Sequence, residues 1–388
     1  MDDSTAELPV SPPALPADNI AGLRAAHDHL ATLAADKSLT AQKQRAEAAL
    51  DMGDLWQAEA LANTILQRLP KDRSARLTLA ASLRRQIRFA AATRLYQQLV
   101  QEDSRDSDAY LGLADTAFAA NQRPQAFIWL DRTVAQGTQT VLSLTTLAHR
   151  YQDWKDYPKA EATAAKALSI APDDTDALLQ LASIQVESGK LDAGYNSLGA
   201  VFHKDSNNGL AHRLMGVVLM NTISIHYDMN RARTLLERAV ELDGKDVAIY
   251  RAAAVIYRQQ RLYRLAAQAY DALLHLDPTS LDGRYGLGQV YALLGKTELS
   301  RQQLALYKQL DERQRRITRL SEEMLHYPES AESHLALARF LQSSGDYARA
   351  LPEFQIAAGL APHNSLVQTE LRRFYTSLGW KLPEHKIQ

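Results

Sequence analysis

Two ladders of small residues run along this chain with one shared spacing, and this spacing limits the possible folds more than any other feature. The first ladder advances in steps of 34 residues from position 46 to 216 and then by 38, 34 and 50. Its members are Ala46, Ala80, Ala114, Ala148, Ala182, Gly216, Ala254, Gly288 and Ala338. The second ladder consists of Ala58, Ala92, Ala126, Ala160, Gly194, Ala232, Ala266, Ser300 and Ala350. Two ladders with one period indicate a chain built from copies of a single structural unit.

Each unit predicts two helices joined by a tight turn. Apolar residues recur at helical spacing, as in Tyr110, Leu113 and Ala117. A residue that tolerates the left-handed conformation follows in several units, namely Gly53, Asn121, Gly189, Gly295 and Gly345. Such a residue ends a helix and reverses the chain. We therefore expect an all-α fold of stacked helix–turn–helix units, with the small ladder residues where two helices approach closely.

A hairpin of this length resembles the tetratricopeptide repeat, most clearly in AYLGLADTAFAANQRPQAFIWLDRTV and YRAAAVIYRQQRLYRLAAQAYDALLHLDP. The resemblance covers about four fifths of the chain. It places nine repeats, at 39–72, 73–106, 107–140, 141–174, 175–208, 209–246, 247–280, 281–314 and 331–364. The family resemblance implies an α-solenoid that winds as a right-handed superhelix, in which the first helix of each repeat lines a concave groove.

The segments outside the repeats complete the expected domain organisation. They are a flexible acidic and proline-rich tail at 1–18, a capping helix at 19–38, an inserted helix at 315–330, and a capping helix and tail at 365–388. Caps are expected because the outer faces of the terminal repeats would otherwise be bare. The insert carries Ile317, Leu320, Met324 and Leu325 on one stripe, and it either packs on neighbouring repeats or offers a docking surface for a partner helix. One long helix or two stacked helices both fit the sequence there.

The motifs of catalytic and metal sites are missing from the sequence. Gly295-Lys296-Thr297 resembles the end of a phosphate-binding loop, but Val290 stands where that motif needs glycine. His27 and His29 are two residues apart, so on a helix they point to different sides and cannot bind one metal ion together. The absence of cysteine excludes thiolate metal sites and disulfides. We therefore expect a protein that is not an enzyme and that has no cofactor and no metal site.

Charge and hydropathy narrow the class of partner and the compartment. A formal net charge of −1 argues against nucleic-acid binding. The most apolar stretch, 214–225, is too short to cross a membrane, so membrane association would need a partner or a removed N-terminal anchor. The proline-rich tail and the lack of cysteine favour an exported, periplasmic protein, with a cytoplasmic location as the alternative. Polar caps favour a monomer.

The resemblance also indicates which side chains line the groove. In the third and fourth repeats they include Asp115, Phe118 and Asp153. In the sixth to ninth repeats most are basic, aromatic or amide-bearing, with Asp282 and Glu332 as acidic exceptions: Arg213, Asn221, Arg251, Arg258, Gln259, Tyr285, Gln289 and Arg339. This distribution predicts a groove that binds a protein or peptide segment with acidic groups, because arginine offers forked donors to carboxylates. The alternative is that these charges are only solvated.

The function expected from these features is that of a scaffold that binds a partner segment in its concave groove. By analogy we place it in a bacterial envelope assembly, such as a secretion, exopolysaccharide or respiratory complex, as a component or a recruiter. The alternative is a cytosolic regulatory or assembly-factor module with chaperone-like action. The acidic tail adds a second hypothesis, that it folds back into the basic part of the groove of its own chain or enters that of another copy.

Overall fold

The computed structural model describes residues 3, 8, 13–15, 18–136 and 140–382 of the chain. Over these residues the fold is all-α, which confirms the expected class, and it consists of twenty helices. Their bounds are α1 Ile20–Leu33, α2 Leu39–Met52, α3 Leu55–Arg68, α4 Arg73–Arg85, α5 Phe89–Glu102, α6 Ser107–Ala119, α7 Arg123–Gln136, α8 Val141–Asp153, α9 Tyr157–Ile170, α10 Thr175–Glu187, α11 Leu191–Lys204, α12 Gly209–Met220, α13 Met229–Leu242, α14 Val247–Gln259, α15 Tyr263–Leu276, α16 Leu281–Leu293, α17 Thr297–His326, α18 Ala331–Ser343, α19 Tyr347–Leu360 and α20 Ser365–Leu378. In the repeats the even-numbered helices α2 to α18 come first and the odd-numbered helices α3 to α19 come second.

The small residues of both ladders are buried between paired helices, as their spacing predicts. Where the ladder residue is glycine, even a methyl group would not fit. A Cβ atom on Gly216 would lie 2.8 Å from Leu236, and one on Gly288 would lie 2.9 Å from Leu304. These distances are shorter than van der Waals contact, so the ladder marks where the two helices of a repeat touch.

The turn inside a repeat requires one residue with a positive φ. The predicted turn residues all have φ between 58° and 88°: Gly53, Asn121, Gly189, Gly295 and Gly345. Three other repeats place Ile87, Lys155 and Arg261 at φ 63° to 64° in the same position. Because Ile, Lys and Arg rarely adopt a positive φ, these three turns cannot be predicted from residue type. They can be predicted only from the 34-residue repeat period. In the sixth repeat a loop at 221–228 replaces the turn.

The chain divides into two compact units, which we describe separately. Unit 1 comprises Met1–Pro16 and Gln139–Glu312, and unit 2 comprises Ala17–Thr138 and Arg313–Gln388. The core of unit 1 is a continuous apolar cluster from repeats five to eight that includes Leu236, Leu273 and Tyr291. Unit 2 contains the first three repeats together with the ninth repeat and both terminal helices.

In unit 2 the first and last parts of the chain share one core. Leu23 of α1 and Trp56 of α3 belong to the same buried cluster as Phe354 of α19 and Phe374 of α20. The side chain of Gln355, which is fully buried, hydrogen-bonds to groups of α3 and α20 from its place on α19. Helices α1 and α20, expected only as covers for exposed ends, therefore pack in the core that joins the first repeat to the ninth.

The inserted segment continues the second helix of the eighth repeat. Residues 297–326 form one helix, α17, which is the first of the two forms that the sequence allows. Ile317 and Leu320 are buried in the core of unit 2, and Met324 packs against it, so most of the apolar stripe is covered. Leu325 at its end is exposed.

Candidate interaction surface

The first helices of unit 1 lie side by side, and each contacts the next from α8 to α16. Three of them, α12, α14 and α16, carry six of the predicted groove residues. We call the surface that these six form the first-helix face: Arg213, Arg251, Arg258, Gln259, Tyr285 and Gln289. The remaining predicted residues lie elsewhere and are described below.

Arginines at the fifth position of two successive repeats pair with aspartates at the start of the next first helix. Arg213 Nε lies 3.3 Å from Asp246 Oδ2, and Arg251 Nε lies 3.6 Å from Asp282 Oδ2. Asp246 is also the N-cap of α14, so it holds the arginine and the start of the next helix together. The Arg251 side chain keeps about half of its surface exposed. A guanidinium has five N–H donors, so a pair of this kind orients the arginine and leaves donors for a ligand.

A second cross-repeat contact lies about two helical turns beyond the Arg251 pair. Arg258 Nη1 donates to Gln289 Oε1 at 2.5 Å, and Gln259 beside it is exposed. The Tyr285 ring, also exposed, lies 5.1 Å from that of Tyr307 on α17. The first-helix face therefore combines oriented guanidinium groups, amides and an exposed aromatic ring. Such groups bind carboxylates and the polar main chain of an extended peptide.

Asn221 and Asp153 lie in unit 1 but do not belong to the first-helix face. Asn221 follows the end of α12 and its Oδ1 accepts the N–H of Ile223, so it shapes the loop of the sixth repeat. That loop exposes Ile223 and Ile225, each at 80% of its surface. Asp153 ends α8 and lies 4.0 Å from Arg150, one turn earlier on the same helix.

Three predicted residues lie in unit 2. The Phe118 ring on α6 is covered by the guanidinium of Arg123 at 5.4 Å, and Asp115 is half-buried one turn earlier. Arg339 on α18 pairs with Glu370 of α20 at 3.3 Å. The described structure therefore places six of the eleven predicted residues on three successive first helices of unit 1.

Buried polar residues at the fourth repeat position were not anticipated. We expected apolar residues there, but Arg76, Arg284 and His334 are buried at that position. Each bridges a polar side chain of the following second helix and a carbonyl that precedes its own helix. The signal was present in the sequence, because a charged residue at a position that is otherwise apolar needs a buried partner.

The described residues show no further site of the kinds considered from the sequence. They contain no group of three or more His, Asp or Glu side chains placed to hold a metal ion. His27 stacks on the Trp380 ring at 4.2 Å, while His29 is exposed. Among the described helices, none combines the length and apolar character needed to cross a membrane.

Family models for the tetratricopeptide repeat match this chain at four places. One matches residues 83–145 and 154–217, and another matches 228–280 and 251–314. Together the matches cover more than half of the chain. No curated protein matched it.

Three of the solved structures that match this chain are those of MamA, YrrB and PilF. A crystal structure of MamA is 17% identical and covers 44% of this chain and 96% of its own, with a TM-score of 0.38. YrrB, described as a TPR protein with an unusual peptide-binding site, is 16% identical and covers 55% and 91%, with a TM-score of 0.35. PilF of Pseudomonas aeruginosa is 15% identical and covers 55% and 95%, with a TM-score of 0.41. At these identities and scores the likeness says nothing about a ligand.

Proposed function

Because this chain belongs to the tetratricopeptide repeat family, we propose that it is a non-enzymatic scaffold that binds an extended, acidic segment of a partner protein on the first-helix face. Repeats of this kind form stacked surfaces that suit extended ligands. The observation that supports this ligand most directly is the pairing of Arg251 with Asp282, which orients a half-exposed guanidinium on that face.

Each arginine already has a partner within the chain, and this limits how strongly a partner carboxylate is expected to bind to it. Arg213, Arg251 and Arg258 each already contact a side chain of the next first helix or of its N-cap. A partner carboxylate would therefore join an existing pair rather than neutralise an isolated charge. The amides of Gln259 and Gln289 can hydrogen-bond to the main chain of the segment, and Tyr285 can cover an apolar side chain. This arrangement favours a ligand that alternates acidic and neutral residues.

We test the ligand class with a displayed library of 12-residue peptides that contains acidic, neutral and basic members in equal number. The full chain is the bait, and binding of selected peptides is then measured by fluorescence anisotropy. We expect enrichment of acidic peptides. Arg251→Ala/Arg258→Ala is expected to weaken their binding about tenfold or more, since hydrogen bonds to charged groups contribute about 1.5–3 kcal/mol each.

The matched control is Arg231→Ala/Arg238→Ala, which removes the same charge from the second helix α13. Arg231 hydrogen-bonds to Tyr195, and Arg238 to Glu241 and Asn207, so neither belongs to the first-helix face. We expect this control to change affinity by less than about twofold beyond the effect of general charge. Selection without acidic enrichment, or an equal loss in both double variants, contradicts the proposal.

We further propose that the scaffold serves a bacterial envelope assembly, as a component or as a recruiter of one. The support is compositional: a proline-rich acidic leader and a complete lack of cysteine. Cell fractionation followed by crosslinking of the full chain tests this. Crosslinks to envelope proteins are expected, whereas recovery only with cytosolic proteins would favour the regulatory alternative.

A further inference from the structure

The described residues of the N-terminal segment contact α15 and its surroundings in chain order. Asp3 lies at the start of α15, Leu8 packs beside its later turns, and the Pro13 carbonyl lies beyond its end. These residues and α15 all belong to unit 1. With 14 residues, α15 is about 21 Å long, a distance that an extended chain from Asp3 to Pro13 can span. Asp3 does not contact the first-helix face, which differs from the hypothesis that the acidic segment enters the groove.

Asp3 supplies the capping side chain that α15, the second helix of the seventh repeat, lacks at its own N-cap position. Its Oδ1 accepts the backbone N–H groups of Arg264 at 2.8 Å and of Leu265 at 3.0 Å. These are the two amides that an N-cap side chain normally accepts. The N-cap residue of α15 is Leu262, whose side chain has no acceptor. Several second helices are capped by an aspartate of their own repeat, as at Asp54, Asp156 and Asp346, whereas α5 and α11 have no side-chain cap.

Leu8 lines an open cavity beside the last turns of α15. The cavity measures about 540 Å³, and its lining includes Tyr250, Ala272 and Leu276. Leu8 also packs against the apolar core of unit 1. The contact joins the segment to both helices of the seventh repeat, because Tyr250 belongs to α14 and Ala272 to α15.

The Pro13 carbonyl accepts a hydrogen bond from Arg284, a guanidinium with no exposed surface. The same guanidinium donates to Gln303 Oε1 at 2.9 Å and to the Pro278 carbonyl at 3.0 Å. These contacts hold its position independently of the segment. The Arg284 guanidinium is therefore held in place near the end of α15, where it donates a hydrogen bond to the main-chain carbonyl of Pro13.

We propose that these features form a second peptide-binding surface, the α15 strip, and that the N-terminal segment occupies it through Asp3, Leu8 and Pro13 as a displaceable internal ligand. The α15 strip consists of the α15 N-terminus, the cavity at Ala272 and the guanidinium of Arg284. Its ligand is an extended segment with a carboxylate, an aliphatic side chain five residues later and a main-chain carbonyl five residues beyond that. A partner segment with this pattern competes with the internal one, so partner binding and release of the N-terminal segment are coupled. The proposal does not depend on the first-helix face.

The test uses a fluorescein-labelled peptide of residues 1–16, MDDSTAELPVSPPALP, titrated into the full-length chain. One recipient is the unaltered chain and the other carries Asp3→Asn/Leu8→Asp, so that its own segment neither caps α15 with a charge nor packs an apolar side chain beside the cavity. We expect binding to the double variant to be about tenfold tighter or more, because a tethered competitor acts at a high effective concentration. A peptide with the same two substitutions is the matched control and is expected not to bind.

Two further chains separate the α15 strip from the first-helix face. Adding Ala272→Glu to the double variant is expected to abolish peptide binding with unchanged helical circular dichroism. If Ala272→Glu impairs folding, His275→Glu at the exposed rim of the cavity is used in its place. Adding Arg251→Ala/Arg258→Ala instead is expected to leave peptide binding unchanged. Equal affinity of the unaltered chain and the double variant overturns the proposal, as does binding of the control peptide. Concentration-dependent dimerisation that Asp3→Asn/Leu8→Asp abolishes also overturns it, since the segment would then bind a second copy.

Discussion

Gln355 Nε2 donates a hydrogen bond to Asp54 Oδ1 at 2.8 Å, although 301 positions separate the two residues in the sequence. The same amide group donates to the Tyr375 hydroxyl at 2.7 Å, and its oxygen accepts the N–H of Leu55 at 2.9 Å. One buried side chain thus joins the first repeat, the ninth repeat and the last helix of unit 2. Such a contact makes the stability of these elements interdependent.

The first prediction concerns this amide. Gln355→Leu is expected to lower the free energy of unfolding of unit 2 by about 2–4 kcal/mol, because it deprives the buried Asp54 carboxylate of a donor. Urea unfolding measures the loss, and hydrogen exchange is expected to accelerate in α3 and α20 together. Gln368→Leu is the control, since this partly buried amide bonds only the nearby Ala358 carbonyl at 3.3 Å in the described structure. Faster exchange in α20 with no change in α3 would contradict the interdependence.

The second prediction concerns the pH dependence that Asp54 confers. Burial raises the pKa of Asp54 above its ordinary value of 3.8, and hydrogen bonds from Gln355 and the Gln57 N–H offset this only in part. A raised pKa in the folded state means that Asp54 favours folding below pH 4 or so, and that this contribution is lost as pH rises through the folded pKa. Asp54→Asn keeps the capping oxygen but removes the charge.

Melting temperatures from pH 4 to pH 8 therefore test the sign of this effect. We expect the asparagine variant to gain stability relative to the unaltered chain as pH rises, until the raised pKa has been passed. Taking the difference between the two chains cancels the titration of the other groups. A difference that is constant over this range would show that burial does not penalise the charged carboxylate.

The repeat period predicted nearly every local feature of the fold. The positions of the paired helices, the burial of residues such as Ala114 and Ala160, and the turn at Gly295 all follow from one 34-residue unit. This is expected for a repeat protein, in which each unit mainly contacts its neighbours. The same property explains why the contact of Gln355 with Asp54 was not predictable. A period describes neighbours and carries no information about which distant repeats share a core.

The candidate site was predictable in its residue types and not in its pairing. The sequence indicates that Arg251 and Asp282 occupy surface positions of adjacent first helices, but their contact depends on the rotation between successive repeats. The N-cap of α15 is a similar case. The sequence shows that the N-cap position of α15 holds Leu262 and not an aspartate. Only the three-dimensional fold shows that Asp3 caps α15 instead.

The third prediction exchanges residues between two turns of equal geometry. Arg261 has φ 63° and is exposed, while Gly295 has φ 72° with open space around its Cα. Because an L-residue in this conformation costs about 1–2 kcal/mol, Arg261→Gly is expected to stabilise the chain by about 1 kcal/mol. Gly295→Arg is the reverse change and is expected to destabilise it by a similar amount. Urea unfolding of both variants gives the two differences, and changes of the same sign would contradict the strain at Arg261.

The fourth prediction concerns the close approach of α15 and α16. A Cβ atom on Gly286 would lie 2.2 Å from Cζ of Tyr270, whose ring is buried between these helices. Gly286→Ala is therefore expected to destabilise the chain by about 1–3 kcal/mol through overpacking. Gly199 in α11 has open space at the same atom, so Gly199→Ala is expected to stabilise by about 0.5–1 kcal/mol.

A double-mutant cycle with Tyr270→Leu identifies the clash as the cause. If the aromatic ring is what the added methyl group meets, Gly286→Ala should be far less destabilising in the Tyr270→Leu background than in the unaltered chain. Thermal and urea unfolding of the four chains measure this coupling. An undiminished effect of Gly286→Ala in the leucine background would mean that the helices are held apart by another contact, and that the fit of Tyr270 against Gly286 does not set their distance.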